Sequence, residues 1–204
     1  MILETLINCK ETTARLIKSN AITRKYKVGD PILLKDVPVN HTAIILKGVL
    51  KAHLDQENNS LLLYHITPNI NPIIAVMDMT EVAAAPISVT AIEESVLLWI
   101  PDDKFGEAEI NTIPIKKAVI QSSEHNLKQM LYNLKSLMTH TLENRLFDYL
   151  KNKASIYQQK DIHISRTEIS LDLKVPLASI SRAIKRLENQ HKVIGKPRSI
   201  LLVA

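Results

Sequence analysis

The chain has 204 residues, 46% hydrophobic but only 4% aromatic, and a formal net charge of +5. That is enough apolar material for two small domains with aliphatic cores, which excludes a disordered chain. A single cysteine, Cys9, excludes an intrachain disulfide and a four-cysteine zinc or iron–sulfur site.

Charge is spread unevenly. Residues 1–110 carry 10 Lys/Arg against 14 Asp/Glu (net −4), residues 111–142 carry 4 against 1 (net +3), and residues 143–204 carry 12 against 6 (net +6). An acidic front and a basic back suit a C-terminal part that faces a polyanion.

In chain order, residues 2–19 read as one helix anchored by Leu6, Ile7, Ala14, Leu16 and Ile17, with Cys9 inside it. Glu4 and Lys10 interrupt the opening apolar run, so it does not read as a signal peptide. No uncharged apolar stretch approaches the roughly 18 residues that would span a bilayer. A cytoplasmic protein without a membrane partner is the expectation.

From Tyr26 the pattern changes to short apolar runs separated by turn residues: VGDPILL, TAIILKGVLKAHL, SLLLYHI and ISVTAIEESVLLWI. Run lengths of about 4–8 residues with β-branched enrichment predict an antiparallel sandwich or roll. Residues 55–60 form a polar hairpin loop, and Gly48 interrupts its run as a bulge or tight bend would.

After Asp102 the period lengthens. Ile120, Leu127 and Leu134 recur every seven residues, with Leu131 and Met138 four beyond the last two. This predicts a long amphipathic helix over 113–138 whose seam, Ile120, Leu127, Leu131, Leu134 and Met138, faces a second copy of the chain. Ser123 and Glu124 interrupt that seam.

The remainder reads as three helices and a β-hairpin. Leu146, Tyr149 and Leu150 give the first helix one apolar face. Ser165-Arg166-Thr167-Glu168 has capping-box spacing and opens the second, which buries Ile169 and Leu173. Pro176, at a first helical position, opens the third, which buries Ile180, Ile184 and Leu187. The run VIGKPRSILLV closes the chain as a hairpin.

Two short helices joined by a tight turn and followed by a hairpin make a winged helix-turn-helix. The second of them sets Leu177, Ala178, Ser181 and Arg182 opposite its apolar face, as candidates for reading base edges in a major groove. Ser165, Arg166, Thr167, Ser179, Lys185, Lys196 and Arg198 are the candidates for phosphate contacts.

The stretch ISRTEISLDLKVPLASISRAIKRLE, residues 164–188, resembles the helix-turn-helix of the Crp/Fnr superfamily of bacterial transcription regulators. VGDPILL and the strands around Gly48 resemble that family's β-roll, and LENRLFDYL the helix after its hinge, placed here near Thr139-His140-Thr141. The resemblance implies an α+β chain in three parts. These are a β-roll sensor over 1–110, a dimerisation helix over 111–138 and a winged helix-turn-helix DNA-binding domain over 139–204. It further implies a non-enzymatic regulator that binds an inverted-repeat operator in double-stranded DNA as a homodimer. Contact with RNA polymerase and with a small-molecule effector of unknown identity follows from the same likeness. The other reading is a β-roll sensor that acts through protein contacts and carries a degenerate DNA reader.

Three departures matter. The family's turn glycine is Lys174, where a positive φ costs a lysine about 1 kcal/mol. The opening pair of the recognition helix is Leu177-Ala178 instead of the frequent Arg-Glu. The family's cyclic-nucleotide members place an Arg-[Ser/Thr] pair where this chain has Ala85-Pro86, and no Lys or Arg occurs between Lys51 and Lys104. A buried cyclic phosphate would meet no cation there, so cyclic AMP is not the expected effector. A neutral or apolar molecule suits Ile73, Ile74, Val76 and Met77 better.

Seven histidines raise the question of a metal or haem. His53 and His65 flank the hairpin loop, but there is no His-x-His pair, and no metal or cofactor is expected. Neither a Gly-rich phosphate loop nor a hydrolase elbow is present, so no catalytic residue is assigned.

Overall fold

The computed structural model describes residues 2–56, 59–74, 87–107, 109–110 and 112–203. They form two compact units, residues 1–55 with 63–130 and residues 56–62 with 131–204.

The first unit opens with α1 (Ile2–Ile7) and α2 (Glu11–Asn20), where one helix was expected. The break falls at Asn8, whose φ of 48° lies in the left-handed region that asparagine tolerates. Cys9 is therefore in the connection, and it is buried.

The strands that follow are β1 (Ile22–Tyr26), β2 (Pro31–Leu33), β3 (His41–Lys47), β4 (Leu50–Gln56), β5 (Asn59–Ile66), β6 (Ile73–Ile74), β7 (Ser88–Ala91) and β8 (Ser95–Pro101). They make two sheets, in the orders β1-β8-β3-β6 and β2-β7-β4-β5. Every pairing described between them is antiparallel.

Sequence and packing connect most clearly at β8. Successive residues of a strand point to opposite faces. Leu97 and Trp99 pack with Ala43, Ile45, Leu50, Val89 and Ala91 between the sheets. Leu98 and Ile100 pack with Leu3, Ile7, Ile17, Ile115 and Val119 on the helical side. Both faces are covered, so the run LLWI is apolar at every position instead of alternating.

Gly48, between β3 and β4, has φ +95°. A Cβ there would lie 2.7 Å from the Glu94 carbonyl oxygen and closer still to the Ser95 hydroxyl. The residue is a tight bend pressed against the start of β8, which only glycine can occupy without strain.

After α3 (Asp102–Gly106) comes α4 (Ile113–Thr139), 27 residues long, or about 40 Å at 1.5 Å per residue. Ile115, Val119 and Ser122 are buried on one side of it. On another side Ile113, Ile120, Leu127, Leu131, Leu134 and Met138 are all exposed, by between 41% and 87%. At about 100° per residue these six fall within roughly 60° of arc.

The second unit continues with α5 (Leu142–Tyr157), β9 (Asp161–Ile162), α6 (Arg166–Leu173), α7 (Leu177–Asn189), β10 (Val193–Gly195) and β11 (Ile200–Leu202). The last two strands form the expected hairpin, and β9 adds a third strand beside β11. Leu146, Leu150, Ile169, Ile180, Ile184 and Leu187 share one core with Ile162, Val193 and Ile200.

The break between α4 and α5 falls at His140-Thr141, inside the expected hinge. Thr141 caps α5, its hydroxyl accepting from the Asn144 amide at 3.4 Å. The Tyr132 hydroxyl donates to Asp148 Oδ2 at 2.7 Å, a bond that pushes the phenol up to about 12. His140 packs edge-on against the Tyr132 ring.

Candidate nucleic-acid interface

The turn between α6 and α7 is built by local chemistry. The Ser165 hydroxyl accepts from the Glu168 amide at 3.1 Å and starts α6. The reciprocal half of the expected capping box is absent: the Glu168 carboxylate lies 3.7 Å from Lys153 Nζ instead. Lys153 is only 2% exposed, so an ion partner is worth more to it than to the solvated Ser165 amide.

α6 stops at Lys174, with φ 56° and ψ 50°, whose N–H donates to the Ser170 carbonyl. The lysine thus adopts the left-handed conformation that the family assigns to glycine, and the turn geometry is retained. Two bonds support it: the Ser170 hydroxyl donates to the Val175 carbonyl at 2.7 Å, and Arg145 Nη2 to the Leu173 carbonyl at 2.8 Å. Arg145 was not singled out from sequence, and only its place opposite the α6 C-terminus reveals it.

Lys174→Gly should therefore raise unfolding stability by up to about 1 kcal/mol, relief of the left-handed strain outweighing the extra entropy of glycine. Chemical denaturation measures it, and a loss of stability would contradict the strain.

Pro176 proves to be the N-cap of α7 and not its first helical residue (φ −52°, ψ 140°). A proline disfavours helical backbone in the residue before it, so Val175-Pro176 keeps the turn extended until Leu177.

α7 buries Ile180, Ala183, Ile184 and Leu187. Leu177, Ala178, Arg182 and Lys185 are exposed on the other side, and Ser179 and Ser181 are half-buried. Arg182 Nη2 donates to the Ser179 hydroxyl at 3.1 Å, which steadies the guanidinium along the helix. Ser165, Arg166 and Thr167 are exposed at the start of α6, and Lys196 and Arg198 in the turn from β10 to β11.

Not every cation is equally available. Arg186 pairs with Glu143, whose carboxyl is held below its usual range by its own backbone N–H and then by that guanidinium. Lys196 Nζ lies 2.5 Å from Asp161 Oδ2, and the lysine in turn holds that carboxyl low. A phosphate would compete with Asp161 for Lys196, whereas Arg166, Arg182, Lys185 and Arg198 have no ion pair among the described residues.

In the first unit, His53 Nε2 lies 2.8 Å from the Thr90 hydroxyl and His65 is buried. Among the described residues no three His, Cys, Asp or Glu side chains converge as metal ligands would. Ala85-Pro86, Val76 and Met77 lie outside the described residues, as does the rest of 75–86. No described helix is long and apolar enough to cross a membrane.

No protein-family model and no curated protein matches the chain. Solved structures do. The c-di-GMP responsive global regulator CLP of Xanthomonas campestris superposes with a TM-score of 0.82 at 12% identity, over 96% of this chain and 100% of that one. A transcriptional regulator of the Crp/Fnr family from Eubacterium rectale gives 0.75 at 16%, over 97% and 92%. A third regulator of the same family, from Thermus thermophilus, gives 0.70 at 18%, over 90% and 94%. With sheets, long helix and helix-turn-helix in matching order over nearly its whole length, the chain has the fold of the Crp/Fnr transcription regulators.

Proposed function

We propose that this chain is a sequence-specific DNA-binding transcription regulator that works as a homodimer. The observation that carries the reading is α7, whose Ile180, Ile184 and Leu187 are locked in the core while Leu177, Ala178, Arg182 and Lys185 stand exposed on the opposite side. An α-helix fits the major groove, and an arginine there can make two bonds to guanine O6 and N7. Leu177 and Ala178 offer apolar contact to a thymine methyl. Ser181 is the fourth base-reading candidate. Ser165, Arg166, Thr167, Ser179, Lys185, Lys196 and Arg198 are the proposed phosphate partners, and the exposed stripe of α4 is the proposed dimer seam. The division into sensor (1–110), dimerisation helix (111–138) and reader (139–204) belongs to this proposal, as does RNA polymerase as a partner.

The regulator is proposed not to use cyclic AMP, because residues 52–103 carry no Lys or Arg to meet a buried phosphate.

In vitro selection on random duplexes tests the proposal. It should enrich an inverted repeat with half-sites about 34–36 Å apart. Arg182→Ala should cost about 1–3 kcal/mol and relax preference at one base position per half-site. Lys196→Ala should weaken all sequences alike, and only modestly, because Asp161 already occupies the ammonium. Cyclic AMP should change none of these affinities. Failure to enrich any motif would favour the degenerate reader over the regulator.

A further inference from the structure

The two sheets of the roll part along one edge. β1 ends one sheet and β2 ends the other. Between them and the segment 34–41 lies a cleft of about 390 Å³, a size ordinary for small-ligand sites. It is lined entirely by residues of the first unit.

Trp99, the chain's single tryptophan, forms part of its wall. On β8 it stands opposite Ile22 of β1 and Ala43 of β3, so the three share the inner face of the sheet. Its indole N–H is buried without a hydrogen-bond acceptor, an unusual state for a buried donor.

Arg24 stands opposite Leu97, two residues along both strands, and so is on the same inner face. Leu97 is fully buried, as an inner position should be. Arg24 is exposed and has neither a hydrogen bond nor an ion pair to any described residue. Three large apolar side chains also line the cleft yet stay open to solvent, Ile22 at 54%, Leu34 at 52% and Val37 at 45%. His41 Nδ1 lies 2.6 Å from Asn40 Oδ1, beside the edge of Trp99.

We infer that this cleft binds a small amphipathic carboxylate, an apolar chain or ring ending in one carboxyl group. Arg24 is the one permanently charged group in the lining, and no acidic residue is present there. A guanidinium presents two parallel N–H groups to a carboxylate. The apolar part of the ligand covers Ile22, Leu34 and Val37 and approaches Trp99. A single cation with apolar walls selects a monoanion; a phosphate, with more charge to neutralise, would ask for more donors. The site is independent of the DNA-reading proposal, since none of its residues belongs to the second unit.

The single tryptophan makes the test direct. The full chain is titrated with octanoate, with octanamide as the uncharged isostere, while Trp99 emission is followed; R24Q is titrated in parallel. Octanoate should give a saturable change, and both octanamide on wild type and octanoate on R24Q should bind roughly tenfold or more weakly. The exposed position of Arg24 predicts an unchanged thermal melt for R24Q. Absence of saturation would overturn the inference, and so would equal binding of octanoate and octanamide. Unaltered octanoate binding by R24Q would leave Arg24 an inward charge that merely protects an edge strand from pairing, and would overturn it as well.

Discussion

Leu127→Glu combined with Leu134→Glu should turn a dimer into a monomer. Both leucines lie on the exposed stripe of α4, at 50% and 41% exposure, and each would be covered by the same helix of a second copy. A dimer would bury four such side chains, each worth about 1.5–3 kcal/mol when fully removed from water. Their loss alone weakens association by more than roughly three decades, and the four carboxylates that replace them add a desolvation cost. Operator affinity should fall with the dimer, because two half-sites need two linked readers. The fold should survive, since Ile115 and Val119 on the packed side of α4 are untouched. Sedimentation of both proteins at micromolar concentration reads the result. A wild type that sediments as a monomer would remove the dimer from the proposal, as would a variant that remains dimeric.

Gly48→Ala should be the most damaging small substitution in the roll. At φ +95° any side chain adds about 1–2 kcal/mol of backbone strain. The new Cβ would also meet the Glu94 carbonyl and the Ser95 hydroxyl, which itself donates to the Glu93 carbonyl at 2.8 Å. Those contacts involve backbone and cannot swing aside, so overpacking adds about 1–3 kcal/mol. Gly29→Ala supplies the control: its φ is +91°, and nothing lies within 4 Å of the added Cβ. Denaturation should show Gly29→Ala losing only the strain and Gly48→Ala losing clearly more. Equal losses would mean that the bend at Gly48 relaxes and that close packing against β8 is not what requires glycine.

Much of the second unit was legible from residue spacing, because a helix turns local spacing into faces. Ile180, Ile184 and Leu187 fall on one side of α7 whatever surrounds it, which leaves Arg182 and Lys185 on the other. The sevenfold recurrence along α4 likewise sets one stripe, and its exposure follows from what the rest of the unit does not cover. Gly48 stood out because a glycine inside an apolar run has few other reasons to be there.

What the order of residues by itself determined, then, is the class of fold, the helix-turn-helix, the α4 stripe and the bend at Gly48. All of these depend on neighbours within a few turns or residues. Tertiary structure alone decided features whose partners are remote in the chain. The sequence ITRKY of β1 is exposed at four of its five residues, and pairing with β8, about 70 residues away, is what makes it a strand. Lys196 takes Asp161 and Glu168 takes Lys153 because charged side chains choose partners by distance and burial, which local spacing does not encode. The cleft is of the same kind. Arg24 becomes an inner-face cation and Trp99 one of its walls only when the edges of two sheets fail to close over them.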